Sequence, residues 1–238
     1  MPTARTLADL AAAAAREHLG STQTPVACRA GCDACCRYLV SLSVPEAFRI
    51  REEVFALPAE KRRMVLDGFI TASQTVLNAR GPVTSRPAES AEAPLERTDL
   101  LQELSDWYAA LSLDCPMLDG SSCGMYDRRP LVCREHLVTH APSQCADRDA
   151  TDTGHAVTLS MSLAEVLAQW SAELEGTDPQ AVILPLTLLW TQDNRRRGEQ
   201  TWPAIHLVER LAAVLATAVE RSAPEVRSGE KSEATEAA

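Results

Sequence analysis

Four of the eight cysteines fall within nine residues, Cys28-Arg29-Ala30-Gly31-Cys32-Asp33-Ala34-Cys35-Cys36, and the other four, Cys115, Cys123, Cys133 and Cys145, gather around a later centre. A scattered cysteine buries as a small hydrophobe and needs no special account. Crowded thiolates do, because they repel one another unless something positive lies between them. A soft or borderline metal ion meets that need. The chemistry these residues point to is metal–thiolate binding.

Cys32-x2-Cys35 is a chelating knuckle of the kind used by zinc and iron sites, and Cys28 is close enough to join it. Adjacent side chains leave the backbone in different directions, so the vicinal Cys35 and Cys36 suit two ions, or one ion and a cluster edge. The later group has gaps of seven, nine and eleven residues and no short chelate. Closing a site from that group alone costs more loop entropy than joining the preformed knuckle. The two groups are therefore expected to converge on a shared polynuclear or paired site, with two separate four-thiolate sites as the simpler alternative.

Around the later cysteines, Asp119-Gly120 signals a turn and Pro130 fits the start of a helix carrying Cys133. Arg129 and Arg134 are placed to offset thiolate charge, or else are ordinary solvated arginines. His136 and His140 stand three and seven positions after Cys133, so one helix face could present all three as ligands, although eight thiols already suffice. His18, His155 and His206 read as structural or solvated, and Asp33 and Asp114 as solvated or capping. No phosphate-cradling glycine loop, nucleophile elbow or dinucleotide fingerprint is present. A Cys–His nucleophile pair is the weaker reading, because thiols this crowded are expected to be occupied by metal.

The elements that must position these residues read as helices. The chain has 238 residues, 45% of them apolar but only three Phe and three Tyr, a balance that favours helix over sheet. A helix is expected over 4–19, stopped by Gly20. The Ser43-Val44-Pro45-Glu46 capping box opens another over about 44–56, and Pro58 opens one to about 78. Residues 38–42 are apolar and either extended or a lead into the next helix. The stretch 81–94 reads as a flexible excursion, and 95–111 returns to a helical pattern. Ser162 to Glu165 cap a helix ending near Gly176. Residues 177–180 cap the next, with Val182, Ile183, Leu186, Leu189 and Trp190 as its apolar residues and Pro185 kinking it or delaying its start. Arg195-Arg196-Arg197 ends that helix, where positive charge is favourable, rather than forming a nucleic-acid patch. A last helix follows Trp202-Pro203 to about 221. The fold expected is mainly α: one irregular helical domain, 1–222, organised around a cysteine-rich metal site formed by two loop regions, with a disordered tail over 223–238.

The net charge of −10 argues against nucleic acid or an anionic membrane as a partner, and no apolar run is long enough to span a bilayer. Asp9 interrupts the apolar start of the chain and Arg16-Glu17 follow it at once, so the N-terminus reads as an amphipathic helix and not as an export signal. A cytoplasmic location, with reduced thiols, follows as the expectation. Four disulfides are the formal alternative.

The spaced cysteine trio ending in a vicinal pair, followed by Cys115-Pro116-Met117-Leu118-Asp119 and then Cys123-Gly124-Met125-Tyr126, Arg129-Pro130 and Cys133-Arg134, resembles the bacterial CxxCxxCC or YkgJ-like cysteine-cluster family. The motif portion covers about 28–36 and 115–145. Three residues, not two, separate Cys28 from Cys32, a departure from the spacing in the family's name. The resemblance implies a proposed zinc- or iron-chelating domain. Some relatives carry the name flagellin lysine N-methylase. Two main functions follow: a metal-binding, metal-handling or metal-stapled protein holding zinc or iron, with an iron–sulfur cluster as one form; or an iron–sulfur-dependent protein-modifying enzyme. The sequence shows no motif for a methyl donor, which favours the first. A metal-stabilised adaptor for partner helices rests only on the amphipathic C-terminal helices.

Overall fold

A computed structural model describes residues 26–79, 81, 97–139, 141–146 and 161–222, with residues 6, 10, 13 and 17 besides; for 97–100, 142 and 146 only the backbone is described. The fold starts from the Ser43 cap. Strand β1 (Ser41–Ser43) runs directly into helix α1 (Val44–Phe55). Glu46 accepts from the Ser43 hydroxyl at 3.0 Å and from its amide at 3.4 Å, so the capping box read from the sequence is formed. Helix α2 (Ala59–Asn78) follows, capped by Pro58. Helix α3 (Arg97–Ala110) leads into a two-residue-per-strand hairpin, β2 (Leu118–Asp119) and β3 (Ser122–Cys123), turned at Gly120 with φ of 61°. Short helices α4 (Leu131–Glu135) and α5 (Pro142–Ala146) carry Cys133 and Cys145. Helix α6 (Leu163–Glu175) ends at Gly176 in the left-handed conformation, as the C-terminal glycine signal predicts.

The segment after Gly176 departs from expectation. Residues 181–183 form strand β4 (Ala181–Ile183), antiparallel to β1, with Leu42 opposite Val182. A 3-10 turn over Leu184–Leu186 precedes helix α7 (Thr187–Asp193). Val182 and Ile183 are β-branched and suit a strand, and Pro185 disfavours helix in the residue before it. Pro185 thus delays the helix, and Val182 and Ile183 lie in a strand, not in it. The arginine run forms its own turn, α8 (Arg195–Gly198), in which Arg197 pairs with Glu175 at 2.6 Å and stacks on Trp190. Helix α9 (Ala204–Ser222) closes the described chain.

Two apolar clusters hold these elements. One joins Leu42 of β1, Ile50 and Val54 of α1, Val65 and Phe69 of α2, Met117 and Met125 of the cysteine-bearing segment, and Val182 of β4. Cys115 and Cys123 pack on its edge. The other sets Leu131 of α4 against Val166, Leu167 and Trp170 of α6 and Val214 of α9. The cysteine-bearing segments therefore lie against both clusters. The molecule is mainly helical, and no helix among the described residues is long and apolar enough to cross a membrane. Of the expected opening helix, residues 6, 10, 13 and 17 are helical and the rest lies outside the described residues, as do the tail 223–238 and nearly all of the excursion at 81–94.

Candidate metal centre

The nine-residue knuckle is a chain of tight turns. Cys32 donates to the Arg29 carbonyl, Cys36 to Asp33 and Tyr38 to Cys35, while Gly31 takes a φ of 83°. That left-handed geometry costs a side-chain-bearing residue about 1–2 kcal/mol. Cys28, Cys32, Cys35 and Cys36 all line one cavity. The knuckle is then pinned to the later group at two places. The Ala27 amide donates to the Val138 carbonyl at 2.9 Å, and the Cys115 amide to the Cys36 carbonyl at 2.7 Å. The Val138 amide points at the Cys28 sulfur, 3.4 Å away.

The later cysteines are placed by different devices. Cys115 lies just before the β2–β3 hairpin and Cys123 ends it, with Leu118 as its register partner. Cys133 sits on α4, whose first amide, Leu131 N–H, donates to Glu46 at 2.7 Å. Glu46 is fully buried, so one carboxylate caps both its own helix and the helix of Cys133. Such a buried acid is tolerable only when its oxygens are occupied. Cys145 on α5 is held by the Tyr38 hydroxyl, which donates to its carbonyl. Beyond α4, Glu135 accepts from the Leu163 and Ala164 amides at 2.6 and 3.1 Å and from the Ser162 hydroxyl, and so caps α6.

The result is a cavity of about 80 Å³ lined by all eight cysteines together with Arg29, Arg129, His136, Met117 and Tyr126. All eight are free thiols, so none of the disulfides of the oxidised alternative is formed. Among the described residues, no three of the His, Cys, Asp or Glu side chains are gathered closely enough to hold one ion as they stand. The fit to zinc or iron is one of donor chemistry and of a shared cavity. Its lining is thiol-rich with one imidazole, and no described carboxylate joins it. Soft and borderline metals prefer that set, and magnesium or calcium do not.

Electrostatics follow the same geometry. Burial raises the Cys28, Cys123, Cys133 and Cys145 thiols and pushes Cys115 up to about 12. The Cys36 thiol donates to Cys35, which brings Cys35 down to about 7 and raises Cys36. Beyond burial, thiol acts on thiol in a pattern. Cys28, Cys35 and Cys32 act on Cys145, whereas Cys115, Cys35 and Cys123 act on Cys133. The Arg129 guanidinium opposes the rise at Cys28, Cys123 and Cys133. It lies 4.1 Å from the centre of the Tyr126 ring, with a buried Nε that has no hydrogen-bond partner.

The two arginines therefore separate. Arg129 faces the thiols, while Arg134 braces the backbone by donating to the carbonyls of Arg129 and Asp127. Asp33 and Asp114 both pair with Arg37, at 3.9 and 2.9 Å. The expected helix face through Cys133, His136 and His140 is not formed. Helix α4 stops at Glu135 and His136 is extended, because the backbone of Val138 is drawn off to pair with Ala27 and Cys28. His136 still lines the cavity, edge-on to Tyr38. His140 lies outside the described residues. Sequence reasoning missed Tyr38 and the second role of Glu46. The capping box betrayed Glu46 as a helix starter, but no local pattern links it to residue 131.

A helical scaffold carrying a thiol-lined cavity defines a cysteine-rich metal-chelating class. The chain belongs to the CxxCxxCC family, described as "Putative zinc- or iron-chelating domain", whose model matches residues 27–153. Comparison with curated proteins and with solved structures found no match.

Proposed function

We propose that this protein binds zinc or iron through Cys28, Cys32, Cys35, Cys36, Cys115, Cys123, Cys133 and Cys145, supplied by the turns over 28–36 and by the hairpin and two short helices over 115–146, not by two loop regions, within one helical domain spanning 1–222. The observation that carries the reading is that all eight thiols line one cavity. A bound metal would supply strong bonds between segments far apart in the chain, and so staple the early part of the fold to its middle. The chain's own residues prepare for it. Arg129 offsets thiolate charge, Glu46 and Tyr38 fix the segments of Cys133 and Cys145, and Met117 and Val138 keep the cavity apolar. An iron–sulfur cluster is the form that iron would take with such a donor set. The protein-modifying enzyme rests on the resemblance alone. Reduced thiols are required, which fits a reducing compartment such as the cytoplasm.

Metal and acid-labile sulfide content of the anaerobically purified full chain, with its visible spectrum, tests the proposal. Zinc without sulfide or colour supports a chelating or stapling role. Iron with sulfide and a brown absorbance supports the cluster. A chain that binds neither metal overturns the reading.

A further inference from the structure

We infer that Arg49, held by Glu53, is a positioning residue of the metal centre: from helix α1 it anchors the backbone of Arg129, and so fixes where the Arg129 guanidinium sits in the thiol-lined cavity. This deepens the metal-binding reading and rests on it. Both members of the pair are buried, with 4% of the Arg49 side chain exposed and 12% of Glu53, and they meet at 3.1 Å. The Arg49 Nε and the second Glu53 oxygen are closed off from water and have no hydrogen-bond partner among the described residues. A half-satisfied pair of this kind is a poor device for stability, because apolar residues of similar volume commonly serve a fold as well or better. What the pair does have is a target. The other terminal nitrogen of Arg49 donates to the Arg129 carbonyl at 3.5 Å, eighty positions along the chain.

Helix α1 thereby holds the cysteine-bearing segment twice, on either side of Pro130. Glu46 takes the Leu131 amide at 2.7 Å, and Arg49 takes the Arg129 carbonyl. Pro130 between them is fully buried and has no amide to offer. Residues 46 and 49 share one face of the helix. One contact alone would leave a pivot, whereas two contacts a turn apart fix direction as well as place. Arg129 lines the cavity with all eight cysteines, its guanidinium 4.1 Å from the centre of the Tyr126 ring. A shift of its backbone therefore moves a positive charge relative to the thiols. Arg134 donates to the same carbonyl at 3.1 Å, but from five residues away, so it braces the segment from within. Arg49 ties that carbonyl to the helical scaffold.

The test is a double-variant cycle on the full chain, read as zinc affinity in competition with a chromophoric chelator. Helical circular dichroism and urea unfolding of the metal-free chain accompany it. Arg49→Lys keeps the charge and the pairing with Glu53, but a compact ammonium lacks the planar fork that reaches carboxylate and carbonyl at once. It is expected to weaken zinc binding about tenfold, as loss of a group that orients a metal site does, with the urea midpoint little changed. Arg129→Gln should weaken binding by a similar factor. The two together should cost about tenfold and not about a hundredfold, because they act along one path. Arg49→Met with Glu53→Leu removes the pair without leaving a lone buried charge. It should fold, keep its urea midpoint and match Arg49→Lys in the same cycle. Unchanged affinity in a folded variant at Arg49, or losses that multiply with Arg129→Gln, overturns the assignment. So does failure of every variant at Arg49 to fold, which makes the residue purely structural. Wild type that binds no zinc instead overturns the metal-binding reading itself.

Discussion

The amide of Cys115 donates to the carbonyl of Cys36 across 2.7 Å, so the first cysteine of the later group is fastened to the last of the earlier one through the backbone. The side chains are thereby free to point into the cavity while the chain itself carries the join. What presses on that join is helix α2. An added Cβ on Gly68 would meet the Pro116 carbonyl oxygen at 2.8 Å.

Gly68→Ala is therefore expected to displace the Cys115–Pro116 segment. Overpacking of this kind costs about 1–3 kcal/mol, partly offset by the better helix propensity of alanine, about 1 kcal/mol. Urea unfolding should show a lower midpoint at unchanged slope, and zinc uptake should weaken. An unchanged midpoint with unchanged uptake would show that the segment yields freely and does not position Cys115.

Removing the shared cap should be more damaging. Glu46→Ala leaves the Leu131 amide without its acceptor and removes the acceptor of the Ser43 hydroxyl, in a site closed to water. A loss of about 2–4 kcal/mol is expected. If α4 then frays, added zinc should restore part of the thermal midpoint, because a ligand that binds only the folded form stabilises it. A melt indifferent to the substitution sinks the shared-cap account.

Arg129→Gln isolates the role of charge. The guanidinium favours the thiolate forms of Cys28, Cys35, Cys123 and Cys133. Its loss should weaken zinc binding by about tenfold, equivalent to about 1.4 kcal/mol, in competition with a chromophoric chelator. Arg134→Gln removes backbone braces and should lower stability more than affinity. Equal effects of the two variants on affinity would contradict the division of labour.

Metal uptake should depend steeply on pH. Burial raises most of the thiols, and pushes Cys115 to about 12, so near neutrality they are protonated and a metal must displace those protons. Raised thiol values favour the protonated, metal-free form. Affinity is therefore expected to rise with pH through the neutral and alkaline range, by about tenfold per unit for each proton released. Calorimetry in buffers of different ionisation enthalpy counts those protons. A pH-independent affinity would mean that thiols are not the ligands.

Much of the scaffold is legible in the sequence because its signals are local. The Ser43 box, Pro58, the Ser162 cap and Gly176 each mark a helix end through the backbone groups next to them, and the helices start and stop there. What stayed hidden depends on partners remote in the chain. Val182 and Ile183 are apolar in either a helix or a strand; β-branching and Pro185 lean toward the strand, and the pairing with Leu42 and Ser41 completes it. Helix α4 ends at Glu135, and the partners that engage Val138 just beyond it, Ala27 and Cys28, lie more than a hundred residues back in the chain. The cysteines announce their chemistry by crowding, but neither the mutual approach of Cys36 and Cys115 nor the hold of Tyr38 on Cys145 has a spacing rule that could reveal it.

The contact between Cys28 and Val138 spans 110 residues, and that separation has a temporal meaning. At a synthesis rate of about 5–20 residues per second, residue 138 follows Cys28 out of the ribosome by about 5–20 s. Throughout that interval the nascent knuckle displays Cys28, Cys32, Cys35 and Cys36 without the later segment that shelters them. During those seconds the four thiols are open to oxidation or to a stray ion, before the segment that lines the cavity with them has been made. The order of the cysteines along the gene thus makes timing, as well as geometry, a condition for reaching the native fold.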